Sequence, residues 1–112
     1  MSTSQFWRLG NQLTCHDDSR STEIGRQRFR EFFGIPPELC SIVWNELYNS
    51  DAIPVFGQPH HLLWALLFLK RYFTEHVMSA VIGHDEKTIR KWVWIFVHLL
   101  STNLTPVIYL NL

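Results

Sequence analysis

The chain has 112 residues, of which 46% are hydrophobic and 14% aromatic, and this composition excludes a disordered chain. At this length we expect one domain that is large enough to form a core without disulfide or metal cross-links. The formal net charge is zero, so any binding of nucleic acid has to depend on a local basic surface.

Cysteine usage and hydropathy indicate the compartment. The two cysteines, Cys15 and Cys40, lie at no spacing typical of metal ligands, which indicates a reducing compartment. The most apolar run has only eight residues, between His61 and Lys70, whereas a membrane-spanning helix needs about 20. The N-terminus has no apolar signal region. We therefore expect a soluble intracellular protein without membrane association.

The first segments along the chain are a polar arm and two helices. Residues 1–21 are rich in Ser, Thr, Asn, Gln and Asp and have little periodicity, so we predict a flexible arm. The first helix begins in "STEIGRQRFREFFG", where Ser21 or Thr22 can cap it and Gly34 ends it. The second helix follows in "IPPELCSIVWNELYNS", with a proline in its first turn.

A turn-rich connection then leads to the most apolar helix. Residues 49–59 are dense in Asn, Asp, Pro and Gly and predict a loop. The third helix, from about His60 to Tyr72, is apolar nearly all round, which predicts a central position. We expect its Trp64 and Phe68 to be deeply buried.

The last two helices are separated by a tight turn. The fourth is short, over residues 74–82, with Thr74 as its cap and Gly83 as its end. Asp85 caps a long fifth helix over residues 85–103. The sequence thus predicts an all-α fold of about five helices, with a helical domain over residues 22–105 and a tail over 106–112.

A short helix, a tight turn and a longer helix match the helix-turn-helix layout. On the fourth helix, three apolar residues are predicted to face the fifth helix: Val77, Ala80 and Val81. On the fifth helix, the inner face is predicted from apolar residues at three positions with i, i+3/4, i+7 spacing: Ile89, Trp92 or Val93, and Phe96.

The outer face of the fifth helix carries the candidate DNA-binding residues. Basic side chains near the start of a recognition helix contact phosphates or base edges. The candidates are Lys87, Thr88, Arg90, Lys91 and Trp94, with Asp85 as the helix cap and His98 flanking them. Three basic residues on one helix face are also typical of a solvated surface, so a plain helical domain remains the alternative.

Other kinds of site have less support. The histidines are scattered apart from the pair His60 and His61, and metal binding needs matched third and fourth ligands. Ser and Cys side chains lack a recognisable partner for nucleophilic catalysis. We therefore expect no metal, no cofactor and no small-molecule substrate.

Three stretches of the chain resemble a known family. The strings "FFGIPPELCSIVWNEL", "PHHLLWALLFLKRYFTEHVMSAVIG" and "DEKTIRKWVWIFVHLL" resemble the N-terminal region of Harbinger-type (PIF/Harbinger) transposase-like proteins of the DDE superfamily. The resemblance covers roughly residues 28–104, about two thirds of the chain. It implies a helix-turn-helix that binds double-stranded DNA at transposon ends, and a location in the nucleus.

The resemblance also implies what the chain lacks. In that family a nuclease domain with three acidic metal ligands follows this region, whereas here the sequence stops at Leu112. We therefore expect no catalytic residue and no enzymatic activity in this chain. A fragment, a truncated gene copy or a domesticated remnant would each fit this departure.

A second function class stays open. Transposase-like N-terminal regions can serve assembly, so the chain is alternatively a protein-interaction module or a self-associating one. Trp7, Trp94 and Tyr109 would be its apolar anchors. The zero net charge favours this alternative, and a third possibility is a decayed copy that still folds.

Overall fold

The computed structural model describes residues 2–14 and 23–103, apart from the side chains of residues 23, 24 and 103. These ranges form six α-helices and contain no β-strand. The helices are α1 (Thr3–Leu13), α2 (Glu23–Phe33), α3 (Pro37–Asn49), α4 (Pro59–Arg71), α5 (Glu75–Ile82) and α6 (Glu86–Asn103). The predicted all-α class is confirmed, with six helices instead of about five.

The additional helix, α1, lies in the segment predicted to be a flexible arm, so that prediction is wrong for residues 3–13. Ser2 caps α1 because its Oγ accepts a hydrogen bond from the Gln5 N–H at 3.2 Å. In return, the Gln5 side chain accepts one from the Ser2 N–H at 2.8 Å. Phe6 is fully buried, which makes α1 part of the core.

α1 can approach α2 closely because Gly10 has no side chain. A Cβ atom at Gly10 would overlap the ring of Phe29. Trp7 stacks on the same ring, with the two centroids 6.2 Å apart. The buried Asn11 donates a hydrogen bond from Nδ2 to the carbonyl of Trp7 at 2.9 Å, so its burial leaves this amide satisfied. Contacts with another helix therefore stabilise a segment whose composition is polar.

α2 ends at Gly34, as predicted, whereas the prediction for its start concerns residues that the structure does not describe. Gly34 has a φ of +83°, and its N–H donates to the carbonyl of Arg30 at 2.7 Å. The predicted caps Ser21 and Thr22 lie outside the described residues, as do the predicted domain limits and the tail 106–112.

α4 is the central helix, as predicted, and residues 61–67 are buried without interruption. It packs most extensively on α6, and it also contacts α2 and α1. Trp64 is deeply buried, whereas Phe68 is only partly buried, contrary to expectation. The inner face predicted for α6 is confirmed, and its buried side chains are Ile89, Trp92, Val93, Phe96 and Leu100.

α5 packs through a different face from the one we predicted. Met78 is buried, whereas Ala80 is exposed and Val77 and Val81 are 39% and 40% exposed. Because α5 has only two turns, the i, i+4 pair of Met78 and Ile82 satisfies a helical spacing as well as Val77 and Val81 do. The long, flexible side chain of Met78 reaches the core and sets the rotation of the helix.

Phe96 tests the inner face of α6. It is fully buried, so Phe96→Ala should lower the free energy of unfolding by about 3–5 kcal/mol through lost contacts and a cavity. His98→Ala, at an exposed position on the same helix, is the control and should change it by no more than about 0.5 kcal/mol. Urea unfolding followed by circular dichroism measures both. Equal unfolding midpoints for Phe96→Ala and the wild type would contradict this assignment.

Candidate nucleic-acid interface

A three-residue turn joins α5 to α6. Hydrogen bonds fix both ends of α5, and one of them reaches into this turn. Thr74 Oγ1 caps α5 by accepting a hydrogen bond from a first-turn N–H at 3.2 Å. Gly83 ends α5 with a φ of +83°, a conformation that glycine adopts readily. The Ser79 hydroxyl then donates to the carbonyl of His84 at 2.6 Å. Both predicted ends of α5 are confirmed.

Asp85 caps α6, as predicted. Its carboxylate accepts hydrogen bonds from the Thr88 N–H at 3.0 Å and from the Thr88 hydroxyl at 2.6 Å. These hydrogen bonds from Thr88 lower the pKa of Asp85. The hydroxyl proton of Thr88 is therefore already donated within the protein, and only its oxygen lone pairs remain for a ligand.

Lys87 and Lys91 lie one turn apart on the outer face of α6, and both are exposed. Helical spacing places Trp94 and His98 on the same face, and we call these four residues the outer stripe. Within the described ranges, neither lysine ammonium lies at ion-pair distance from a carboxylate. The Lys91 ammonium lies 5.0 Å from the centroid of the Trp92 ring. The outer stripe thus presents two unpaired positive charges.

Arg90 is exposed, as predicted, but its guanidinium is directed towards α5. Its Nε and Nη2 donate to the two carboxylate oxygens of Glu75 at 2.8 and 2.6 Å. Hydrogen bonding between the two groups lowers the pKa of Glu75 and raises that of Arg90. Arg90 therefore links the two helices.

A second side-chain contact joins α5 and α6 at the start of α6. His76 Nδ1 lies 3.2 Å from a carboxylate oxygen of Glu86, and the histidine side chain is 90% exposed. Glu86 is in the first turn of α6, where a negative charge interacts favourably with the helix dipole. The acidic side chains near the helix start thus have partners other than Lys87 and Lys91.

Trp94 lies in a mainly apolar groove whose lining also includes Lys91 and His98. Its side chain is 53% exposed, and the ring of Phe68 meets it edge-on with centroids 5.5 Å apart. The groove has a volume of about 480 Å³. Its lining residues are Ala52, Pro54, Lys91, Trp94, Ile95, His98 and Leu99. An apolar groove next to Lys91 suits a protein side chain as well as a nucleic acid.

His61 is a buried polar residue whose role the sequence analysis missed. Its ring stacks on Trp92, with centroids 4.1 Å apart and planes 6° apart. Its Nδ1 accepts a hydrogen bond from the N–H of Gln58 at 3.0 Å, which requires the proton on the other ring nitrogen. Burial and the nearby His60 lower the pKa of His61 to about 4. Its signal in the sequence is its position, three residues after the helix cap.

The described residues offer no evidence for a metal site or a reactive thiol. No group of three or more His, Cys, Asp or Glu side chains in these ranges is placed to hold a metal ion. Burial raises the pKa of the Cys40 thiol, which keeps it protonated and unreactive. None of the described helices combines the length and the apolar character that a membrane crossing requires.

Comparison of the chain with models of known families, with curated proteins and with solved structures finds no match. A function for this protein therefore has to be inferred from its own residues. In the α5–turn–α6 segment, exposed lysines, side-chain caps and an exposed helix face occur together.

The depressed pKa of His61 predicts a loss of stability in mild acid. The unfolded chain takes up a proton near the ordinary pKa of about 6.5, whereas the folded chain resists protonation down to about pH 4. The contribution of His61 to the stability of the fold is therefore complete above pH 6.5, and it declines as the pH falls from 6.5 towards 4. Between pH 7 and pH 5 the free energy of unfolding should fall by about 2 kcal/mol through His61.

His61→Gln is the matched variant for this prediction. A glutamine at the same position accepts the same hydrogen bond from the Gln58 N–H but does not titrate. The drop in unfolding free energy between pH 7 and pH 5, measured by urea titration, should be smaller in His61→Gln than in the wild type. An equal drop in both proteins would show that His61 is not the group responsible.

Proposed function

We propose that this chain binds double-stranded DNA, with α5, the turn and α6 acting as a helix-turn-helix. A helix-turn-helix places its second helix in the major groove and contacts base edges with residues near the start of that helix. The lengths of the two helices and the glycine turn between them support this proposal. The resemblance of the sequence to transposase-like N-terminal regions supports it as well.

One observation carries the proposal: Lys87 and Lys91 are exposed, one turn apart and unpaired at the start of α6. Lysines without a carboxylate partner can neutralise phosphates and release the counterions of the DNA. The zero net charge of the chain does not oppose this, since the two lysines form a local basic surface.

The other candidate residues have more limited roles in this proposal. Thr88 has no hydroxyl proton left to donate to a phosphate, because Asp85 accepts that proton, and it therefore serves to fix the helix start. Arg90 is held by Glu75, so it does not contact DNA without leaving that partner. Trp94 lies beyond Lys91, at the edge of the contact surface.

The proposal includes binding only. The nuclease chemistry of the family that the sequence resembles requires carboxylates that hold two metal ions about 3.5–4 Å apart. We assign no such role to any residue of this chain, and we propose neither a cofactor nor a small-molecule substrate. A location in the nucleus is proposed from the resemblance to transposase-like proteins alone.

A protein-interaction module is the second candidate, because of the Trp94 groove. An exposed tryptophan beside apolar residues is typical of the anchors that dominate protein interfaces. The same surface also carries Lys91, so a protein partner and DNA would compete for it. Which of the two binds can be decided by changing the lysines alone.

Salt dependence of DNA affinity tests the proposed contacts. Two phosphate contacts, from Lys87 and Lys91, predict that log affinity falls with log salt at a slope of about −1.8, since each contact contributes roughly −0.9. Lys91→Ala should weaken binding to all sequences alike and reduce the slope by about 0.9. Fluorescence anisotropy with labelled duplexes at several salt concentrations measures both quantities.

Lys70→Ala is the control, because it removes the same charge from an exposed position on α4, outside the proposed interface. It should leave the slope unchanged. No binding at low salt, or equal binding by a Lys87→Ala/Lys91→Ala variant and the wild type, would overturn the proposal and favour the protein-interaction module.

A further inference from the structure

Arg90 lies next to the two unpaired lysines, but its own hydrogen-bond donors are occupied. Two nitrogens of its guanidinium donate to both oxygens of Glu75, at 2.8 and 2.6 Å. The two side chains are 51% and 38% exposed, so a competing anion in solution can reach the pair. The attachment of α5 to the core does not depend on this pair alone, because Met78 of α5 is buried. Exchanging one partner for another therefore leaves the fold intact.

We propose that Glu75 competes with DNA phosphate for Arg90 and in this way limits affinity for duplexes of every sequence. This inference rests on the proposed DNA binding by α6. A phosphate offers a pair of oxygens with a geometry that the guanidinium fork binds as well as it binds a carboxylate. The two acceptors cannot occupy the same two donors at once.

The consequence for binding is that Arg90 makes no contact with a DNA phosphate. While Glu75 holds Arg90, a duplex gains phosphate contacts from the two lysines only. If Arg90 moves to a phosphate, the carboxylate of Glu75 is left unpaired near the negatively charged backbone, which opposes the exchange. Removing the charge of Glu75 therefore frees a third cation for the duplex.

Glu75→Gln is the informative variant, because it keeps the size of the side chain and removes its charge. Glu86→Gln is the matched control. It removes another carboxylate at the start of α6, one that contacts His76 directly and acts on Arg90 only through its charge, without a hydrogen bond. Arg90→Gln and the double variant Glu75→Gln/Arg90→Gln complete the set.

The measurement is fluorescence anisotropy with a labelled duplex of random sequence over a tenfold range of salt. Glu75→Gln should steepen the slope of log affinity against log salt by about 0.9, which amounts to about an eightfold additional gain in affinity over that range. Glu86→Gln should leave the slope as in the wild type. In the Arg90→Gln background, Glu75→Gln should no longer change the slope.

Equal effects of Glu75→Gln and Glu86→Gln would overturn the inference, as would a steeper slope that persists without Arg90. Those outcomes leave the DNA-binding proposal intact, whereas absence of binding in every variant at the lowest salt overturns both. A second readout compares the wild type with Glu75→Gln. Saturation with duplex should shift the NMR resonance of the Arg90 Nε–H more in Glu75→Gln, where Arg90 is free to reach a phosphate, than in the wild type, where Glu75 holds it. Equal duplex-induced shifts in the two proteins would contradict the inference.

Discussion

Packing of α6 against α4 decides which residues of α6 reach the surface. α4 is buried on nearly all sides, so α6 has to turn a continuous apolar face towards it, from Ile89 through Phe96 to Leu100. Because helical geometry couples the two faces, this choice places Lys87 and Lys91 on the opposite side. The position of the proposed interface is therefore a consequence of core packing. A rotation of α6 about its axis would disturb the core and the interface together.

Local rules were sufficient to predict most helix ends, but not the elements that depend on distant contacts. The caps at Thr74 and Asp85 and the end at Gly83 involve neighbours a few residues away, and sequence inspection located them. α1 was missed because its burial depends on the absence of a side chain at Gly10 and on a ring of α2. The face of α5 was misassigned because two turns of helix contain more than one apolar pair.

The candidate site also combines features that depend on neighbouring residues with features that depend on distant contacts. Exposure of the basic residues on α6 followed from helical periodicity, which needs no knowledge of the partner helix. The pairing of Arg90 with Glu75 spans fifteen positions and depends on the rotation of α5, which the sequence did not reveal. The stacking of His61 on Trp92 likewise joins two helices that are far apart in the chain. At the candidate site, the two helices could be predicted from the sequence, whereas the contacts between helices could not.

The position of Trp94 makes the outer stripe accessible to optical measurement. Four of the five tryptophans in the chain are no more than 8% exposed, whereas Trp94 is 53% exposed. Red-shifted emission and collisional quenching by a small solute such as iodide should therefore arise mainly from this one indole. Any molecule that covers the middle of α6 would shield Trp94 and leave the four buried indoles unaffected. The protein thus carries its own unlabelled reporter at the surface where its partner is to be sought.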